Sequence, residues 1–122
     1  VDEAIAMATM YTANHLDVAA IASLTESGTT VLWMSRISSG IPIYALTRHP
    51  RTQRKVALYR GVYPVNIESG KIGPVNVAQR VVDILLDRDI VKKGQRIIMT
   101  RGNLIDEKGA GTNLMKIVDI VE

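Results

Sequence analysis

The sequence predicts an α/β fold, a sandwich of helices about a mainly parallel sheet with one antiparallel edge strand. Three observations carry that expectation. Short, almost wholly apolar runs recur along the chain, as strands covered on both faces require. Stretches of helical character separate them, as crossovers between parallel strands require. The last two strand-like runs are joined by a Gly-rich stretch, residues 101–112, too short for a helix, so the final strand returns antiparallel.

Taken in order, residues 2–15 are rich in Ala and Met, with Asp2 and Glu3 placed for a helix start. Residues 18–24 are apolar, bounded by Asp17 and Thr25, and read as a buried strand. Residues 29–39 read as a second helix, stopped by Gly40. Residues 41–46 form another short buried strand, in which Pro42 is tolerable near the start. Residues 50–59 read as a third helix with Pro50 in its first turn, closed by Gly61. Residues 62–65 contain Pro64, which cannot donate to a ladder, so that strand belongs at a sheet edge. After a polar loop over 66–73, residues 74–88 carry the clearest helical stripe: Ala78, Val81, Val82, Leu85 and Leu86. Residues 95–100 are a strand, and residues 113–121 the last one. There is no internal repeat or low-complexity stretch.

Composition narrows the class. A chain of 122 residues, 47% hydrophobic and 22% charged, suits one domain with a single core. The absence of Cys removes disulfides, thiol chemistry and Cys-based metal sites, and agrees with a reducing, cytoplasmic setting. No apolar run approaches the roughly 20 residues that cross a bilayer, and no charged-apolar-small leader precedes the fold, so no membrane partner is expected. The net charge is +3, and four Tyr, one Trp and no Phe leave little material for stacking nucleobases. Val1 already lies inside a helical pattern, which points to a piece of something longer.

One loop stands out chemically. Thr25-Glu26-Ser27-Gly28-Thr29-Thr30 connects a buried strand to a helix N-terminus. The first helical amides have no partner within the helix, Gly28 permits close approach of the backbone, and the hydroxyls of Ser27, Thr29 and Thr30 are donors where the helix dipole favours an anion. No Lys follows the Gly, so this is not a nucleotide-hydrolysis loop. The plain alternative is that Thr29 caps its helix.

Five stretches in order resemble the C-terminal domain of pyruvate kinase over nearly the whole chain. They are the loop just quoted, Leu46-Thr47-Arg48-His49-Pro50-Arg51-Thr52, and Leu58-Tyr59-Arg60-Gly61-Val62-Tyr63-Pro64-Val65. Val91-Lys92-Lys93-Gly94-Gln95 follows, and then Thr100-Arg101-Gly102 with Gly109-Ala110-Gly111-Thr112-Asn113. The run Ser35-Arg36-Ile37-Ser38-Ser39-Gly40 resembles the bacterial form activated by monophosphates.

The resemblance implies a three-layer α/β/α sandwich with a five-stranded sheet in the order 3-2-1-4-5, strand 5 antiparallel. It implies an allosteric effector pocket in the crevice where strands 1 and 4 part. Thr25, Glu26, Ser27, Gly28, Thr29 and Thr30 would hold the phosphate of a sugar monophosphate or AMP. Arg36, Arg80, Arg101, Gly102, Gly109, Ala110, Gly111 and Thr112 would line the rest. Arg80 matches an arginine that holds a second phosphate in some members, but Gly73 stands where those members carry tryptophan, which argues against a bisphosphate. Asn113, Met115, Ile117 and Asp119 would form a subunit interface, giving a dimer of this domain and a tetramer of the parent. The parent transfers phosphoryl from phosphoenolpyruvate to ADP in a TIM barrel, with magnesium and potassium. Such a barrel takes roughly 250 residues, so the present chain is expected to contain no catalytic residue and no cofactor.

Other residues have plainer readings. Trp33 reads as packing, and Arg36 and Arg80 also fit solvated helix faces. The basic set Arg48, Arg51, Arg54, Lys55 and Arg60 suggests nucleic acid only at first sight. It lies at helical spacing without aromatics, so an exposed face or an interface with another domain is expected instead. His15 and His49 lack a ligand-spaced partner, which argues against a metal. Replacing Thr30 by Ala or Gly28 by Asp is expected to weaken effector binding while leaving the core and the melting temperature nearly unaltered. A free-standing phosphate-binding module remains the alternative function.

Overall fold

A computed structural model describes residues 1–37, 40–67, 76–101 and 114–121. The elements are α1 (Asp2–His15), β1 (Ala20–Leu24), α2 (Thr29–Ser35), β2 (Ile43–Thr47), α3 (Pro50–Val56), β3 (Val62–Asn66), α4 (Val77–Asp87), β4 (Arg96–Arg101) and β5 (Leu114–Asp119). They form a five-stranded sheet in the order β3-β2-β1-β4-β5. The first four strands are parallel, and β5 runs antiparallel to β4. Both the order and the antiparallel edge agree with the expectation.

Both faces of the sheet are covered, which is why its strands read as nearly continuous apolar runs. On one face Ile21, Ile43, Ala45 and Ile98 pack with Ala6, Met10 and Ala13 of α1, Val31 and Met34 of α2 and Val56 of α3. On the other, Ala20, Ala22, Leu46, Ile97 and Met99 pack with Val77, Val81, Val82 and Leu85 of α4. The apolar stripe read along residues 74–88 is therefore the face α4 lays on the sheet. Among the described residues, no helix is long and apolar enough to cross a membrane.

The element ends differ from the expected ones for local reasons. α2 stops at Ser35 instead of Ser39, because the chain tightens at its end: Arg36 N–H reaches both Leu32 and Trp33 carbonyls, each at 3.3 Å. Ser38 and Ser39 lie outside the described residues. β2 begins at Ile43, because Pro42 can offer only its carbonyl, which accepts from Ile21 N–H at 3.0 Å. α3 ends at Val56, where Leu58 and Tyr59 N–H groups turn back to Lys55 and Val56 carbonyls. Gly61, at φ +71°, then swings the chain into β3. β3 lies at the sheet edge, where Pro64 costs no ladder bond on its open side.

Among the described residues, the opposite edge is β5, paired with β4 alone. Met115 packs toward the α1 face and Val118 toward the α4 face, while Ile117 stays 42% exposed. The Asp119 Oδ1 accepts from Arg96 Nε at 2.6 Å, directly across the ladder. That bond raises the Arg96 pKa further above its ordinary value.

Candidate functional site

β1 lies between β2 and β4, and its two neighbours are reached by chains that cover opposite faces of the sheet. The switch point of the sheet therefore falls at the carboxyl ends of β1 and β4, the place where open α/β sheets bind ligands. Beneath it, Thr100 Oγ1 donates to Ser23 Oγ at 2.8 Å, a fully buried bond between the last turns of the two strands.

The loop leaving β1 folds around its own hydroxyls. Thr25 N–H donates to Leu46 O at 3.0 Å and so extends the ladder. Thr25 Oγ1 then accepts from Gly28 N–H at 2.8 Å, closing a tight turn. Ser27 Oγ and Thr29 Oγ1 are hydrogen-bonded at 2.9 Å, and Thr29 N–H approaches Ser27 Oγ at 3.4 Å. Gly28 is the N-cap of α2, at φ +86°, and its carbonyl accepts from Leu32 N–H at 2.9 Å. Thr29 is thus the first helical residue and not the cap that the plain reading made it. Ser27 and Thr29 present their hydroxyls near the surface, Glu26 is exposed, and Thr30 is buried.

Two expectations about this loop are corrected. A Cβ added at Gly28 would lie 2.9 Å from Val56 Cγ1, and Val56 is fully buried. Thr30 is only 2% exposed. Substitution at either position therefore touches the packed interior, and neither leaves stability unaltered.

Contacts from α3 hold the loop in place, and these the sequence reading missed. Thr52 Oγ1 donates to Glu26 O at 2.7 Å, and Lys55 Nζ donates to Ser27 O at 3.0 Å. The Glu26 carboxylate pairs with the His49 imidazole. Gln53 Nε2 donates to Thr47 O at 3.1 Å, tying the first turn of α3 to the end of β2. His49, Thr52 and Lys55 are spaced by three, one face of a helix. That spacing is the signal the sequence carries, masked by the other basic residues interleaved with it. Arg48, Arg51, Arg54 and Arg60 are exposed.

The remaining candidate residues are distributed. Arg101 ends β4 at the switch point and is half-buried, whereas Gly102, Gly109, Ala110, Gly111, Thr112 and Asn113 lie outside the described residues. Arg80 is exposed in the first turn of α4, which in a crossover starts at the carboxyl end of the sheet. Arg36 sits at the C-terminal end of α2, about 10 Å along the helix from the loop. Its guanidinium lies 5.3 Å from the Trp33 ring centroid, a cation–π contact that holds it there. Arg36 is exposed there, at the opposite end of α2 from the loop.

The model of the family described as "Pyruvate kinase, alpha/beta domain" matches residues 3–118. The chain belongs to that family. It is 47% identical over 121 residues to pyruvate kinase II of Salmonella typhimurium, covering 98% of this chain and 25% of the relative. It is 44% identical over 121 residues to a pyruvate kinase of Buchnera aphidicola, again covering 98% of this chain and 25% of the relative. A pyruvate kinase of Haemophilus influenzae is 39% identical over 109 residues, 84% of this chain and 21% of the relative. The chain thus spans about a quarter of the length of the curated relatives it matches. It is similar to the pyruvate kinase alpha/beta domain from α1 into β5, the span in which the loop and α3 meet.

Proposed function

We propose that this chain is the effector-binding and assembly domain of a pyruvate kinase, a cytoplasmic enzyme of glycolysis. The observation that carries this reading is a coincidence of place: the hydroxyl-rich loop Thr25 to Thr30 lies at the switch point of the sheet. The ligand is a phosphorylated small molecule, a sugar monophosphate or AMP, whose phosphate is met by Ser27 and Thr29 hydroxyls at the start of α2. A ligand that binds one arrangement of the parent better than another shifts the parent toward that arrangement, and so alters its affinity for substrate. The reaction itself, phosphoryl transfer from phosphoenolpyruvate to ADP with magnesium and potassium, takes place in a catalytic domain outside these residues.

In the coupled assay, the full-length protein that carries this chain converts phosphoenolpyruvate and ADP to pyruvate and ATP. Residues 1–122 alone do not. Turnover by the 122-residue piece, or none by the full-length protein, contradicts the proposal.

Assembly rests on the free edge of β5. An edge strand leaves a row of unpaired backbone groups, and exposed Ile117 adds apolar surface beside them. Met7 and Tyr11 of α1, which packs near β5, are 58% and 67% exposed. Two copies pairing through this edge make an isologous dimer. Ile117→Glu in the full-length protein is expected to reduce the assembled mass seen by sedimentation velocity. An unchanged mass contradicts a dimer built on this edge.

A further inference from the structure

We infer that Thr52 and Lys55 are positioning residues of the effector loop: α3 sets the shape in which Ser27 and Thr29 present their hydroxyls. This rests on the reading of that loop as the effector seat. The loop's own bonds are short-range and leave its outer carbonyls unclaimed. Those carbonyls are claimed from α3. Thr52 Oγ1 takes the Glu26 carbonyl at 2.7 Å, and Lys55 Nζ takes the next one, Ser27, at 3.0 Å. The two bonds bridge sequence separations of 26 and 28 residues, and the Glu26–His49 pair adds a third tie from the N-cap of the same helix.

A carbonyl held in place fixes the peptide plane that follows it, and with it the direction of the next N–H. Holding Glu26 O therefore orients the Ser27 amide, and holding Ser27 O orients the Gly28 amide. Thr52 is 7% exposed, and its methyl lies 3.6 Å from the Cβ position of Gly28. One face of α3 thus supplies both the bonds and the packing on which the turn rests. Lys55 directs its ammonium to a neutral carbonyl, beside the hydroxyls that would meet a phosphate.

The test uses the full-length protein, with hydrogen exchange of the 25–30 segment and titration with ribose 5-phosphate. Thr52→Val keeps the shape and removes the donor. Its affinity is expected to fall roughly fivefold to tenfold, the worth of one hydrogen bond, with faster exchange centred on the 25–30 segment and a slightly lowered denaturation midpoint, because a largely buried bond is lost. Thr52→Ser, which restores the donor, is expected to restore both readouts. Unchanged affinity in Thr52→Val overturns the inference, as does a loss that Thr52→Ser does not repair. Ser27→Ala/Thr29→Ala separates the two levels. If that variant binds weakly while Thr52→Val binds normally, the seat stands and the positioning role falls. If it binds ribose 5-phosphate as tightly as wild type, the seat itself is wrong.

Discussion

Gly28→Ala is expected to lower the unfolding free energy by about 2–5 kcal/mol. Two costs add. At φ +86° an L side chain sits in the left-handed region, which costs roughly 1–2 kcal/mol. The new Cβ also lies 2.9 Å from Val56 Cγ1 in a filled core, and overpacking costs about 1–3 kcal/mol. A domain of this size has about 5–15 kcal/mol in all, so the loss is plain in a urea melt as a lower midpoint at unchanged slope. Gly61→Ala is the control, because Gly61 has φ +71° with nothing within 4 Å of its Cβ position. It should show the backbone cost alone. Equal losses at the two positions would mean that the Val56 contact carries no weight.

Ser27→Ala/Thr29→Ala has the largest expected effect on binding. A hydroxyl donating to a phosphate oxygen is worth roughly 1.5–3 kcal/mol. The two hydroxyls share a hydrogen bond, so their losses do not add fully. The pair should weaken ribose 5-phosphate binding by about tenfold to a hundredfold. Ser27 and Thr29 stand near the surface, where substitutions usually change stability by less than about 0.5 kcal/mol. In the full-length enzyme the variant should keep its turnover at saturating phosphoenolpyruvate and lose activation by the sugar phosphate. Loss of turnover at saturating substrate would place these hydroxyls in the chemistry and not in its regulation.

The fold was legible where burial wrote an apolar period. The stripe Val81, Val82 and Leu85 located α4 against the sheet, and the run ending at Leu24 located β1, because a strand covered on both faces has no polar alternation to confuse it. Pro64 placed β3 at an edge by chemistry alone, since a residue without an N–H fits only an open side. The strand order came from family resemblance, because nothing in residue spacing says which apolar strands become neighbours. Helix ends were least legible: α2 and α3 finish in tightened turns at Arg36 and Ala57, whose side chains do not announce it.

At the candidate site, the sequence disclosed the hydroxyls and the glycine but not their support. Glu26 and Ser27 lie 26 and 28 residues from Thr52 and Lys55, and those bonds use main-chain carbonyls, which every residue has. No residue type marks such a contact. The packing of Gly28 on Val56 was hidden in the same way, because a glycine's neighbours leave no trace in its own identity.

The most direct test of the account is a crystal structure of the full-length protein with ribose 5-phosphate. The phosphate is expected within hydrogen-bond distance of Ser27 Oγ and Thr29 Oγ1, with Thr52 and Lys55 still on the Glu26 and Ser27 carbonyls. A sugar phosphate bound elsewhere, with the loop from Thr25 to Thr30 unoccupied, would contradict it.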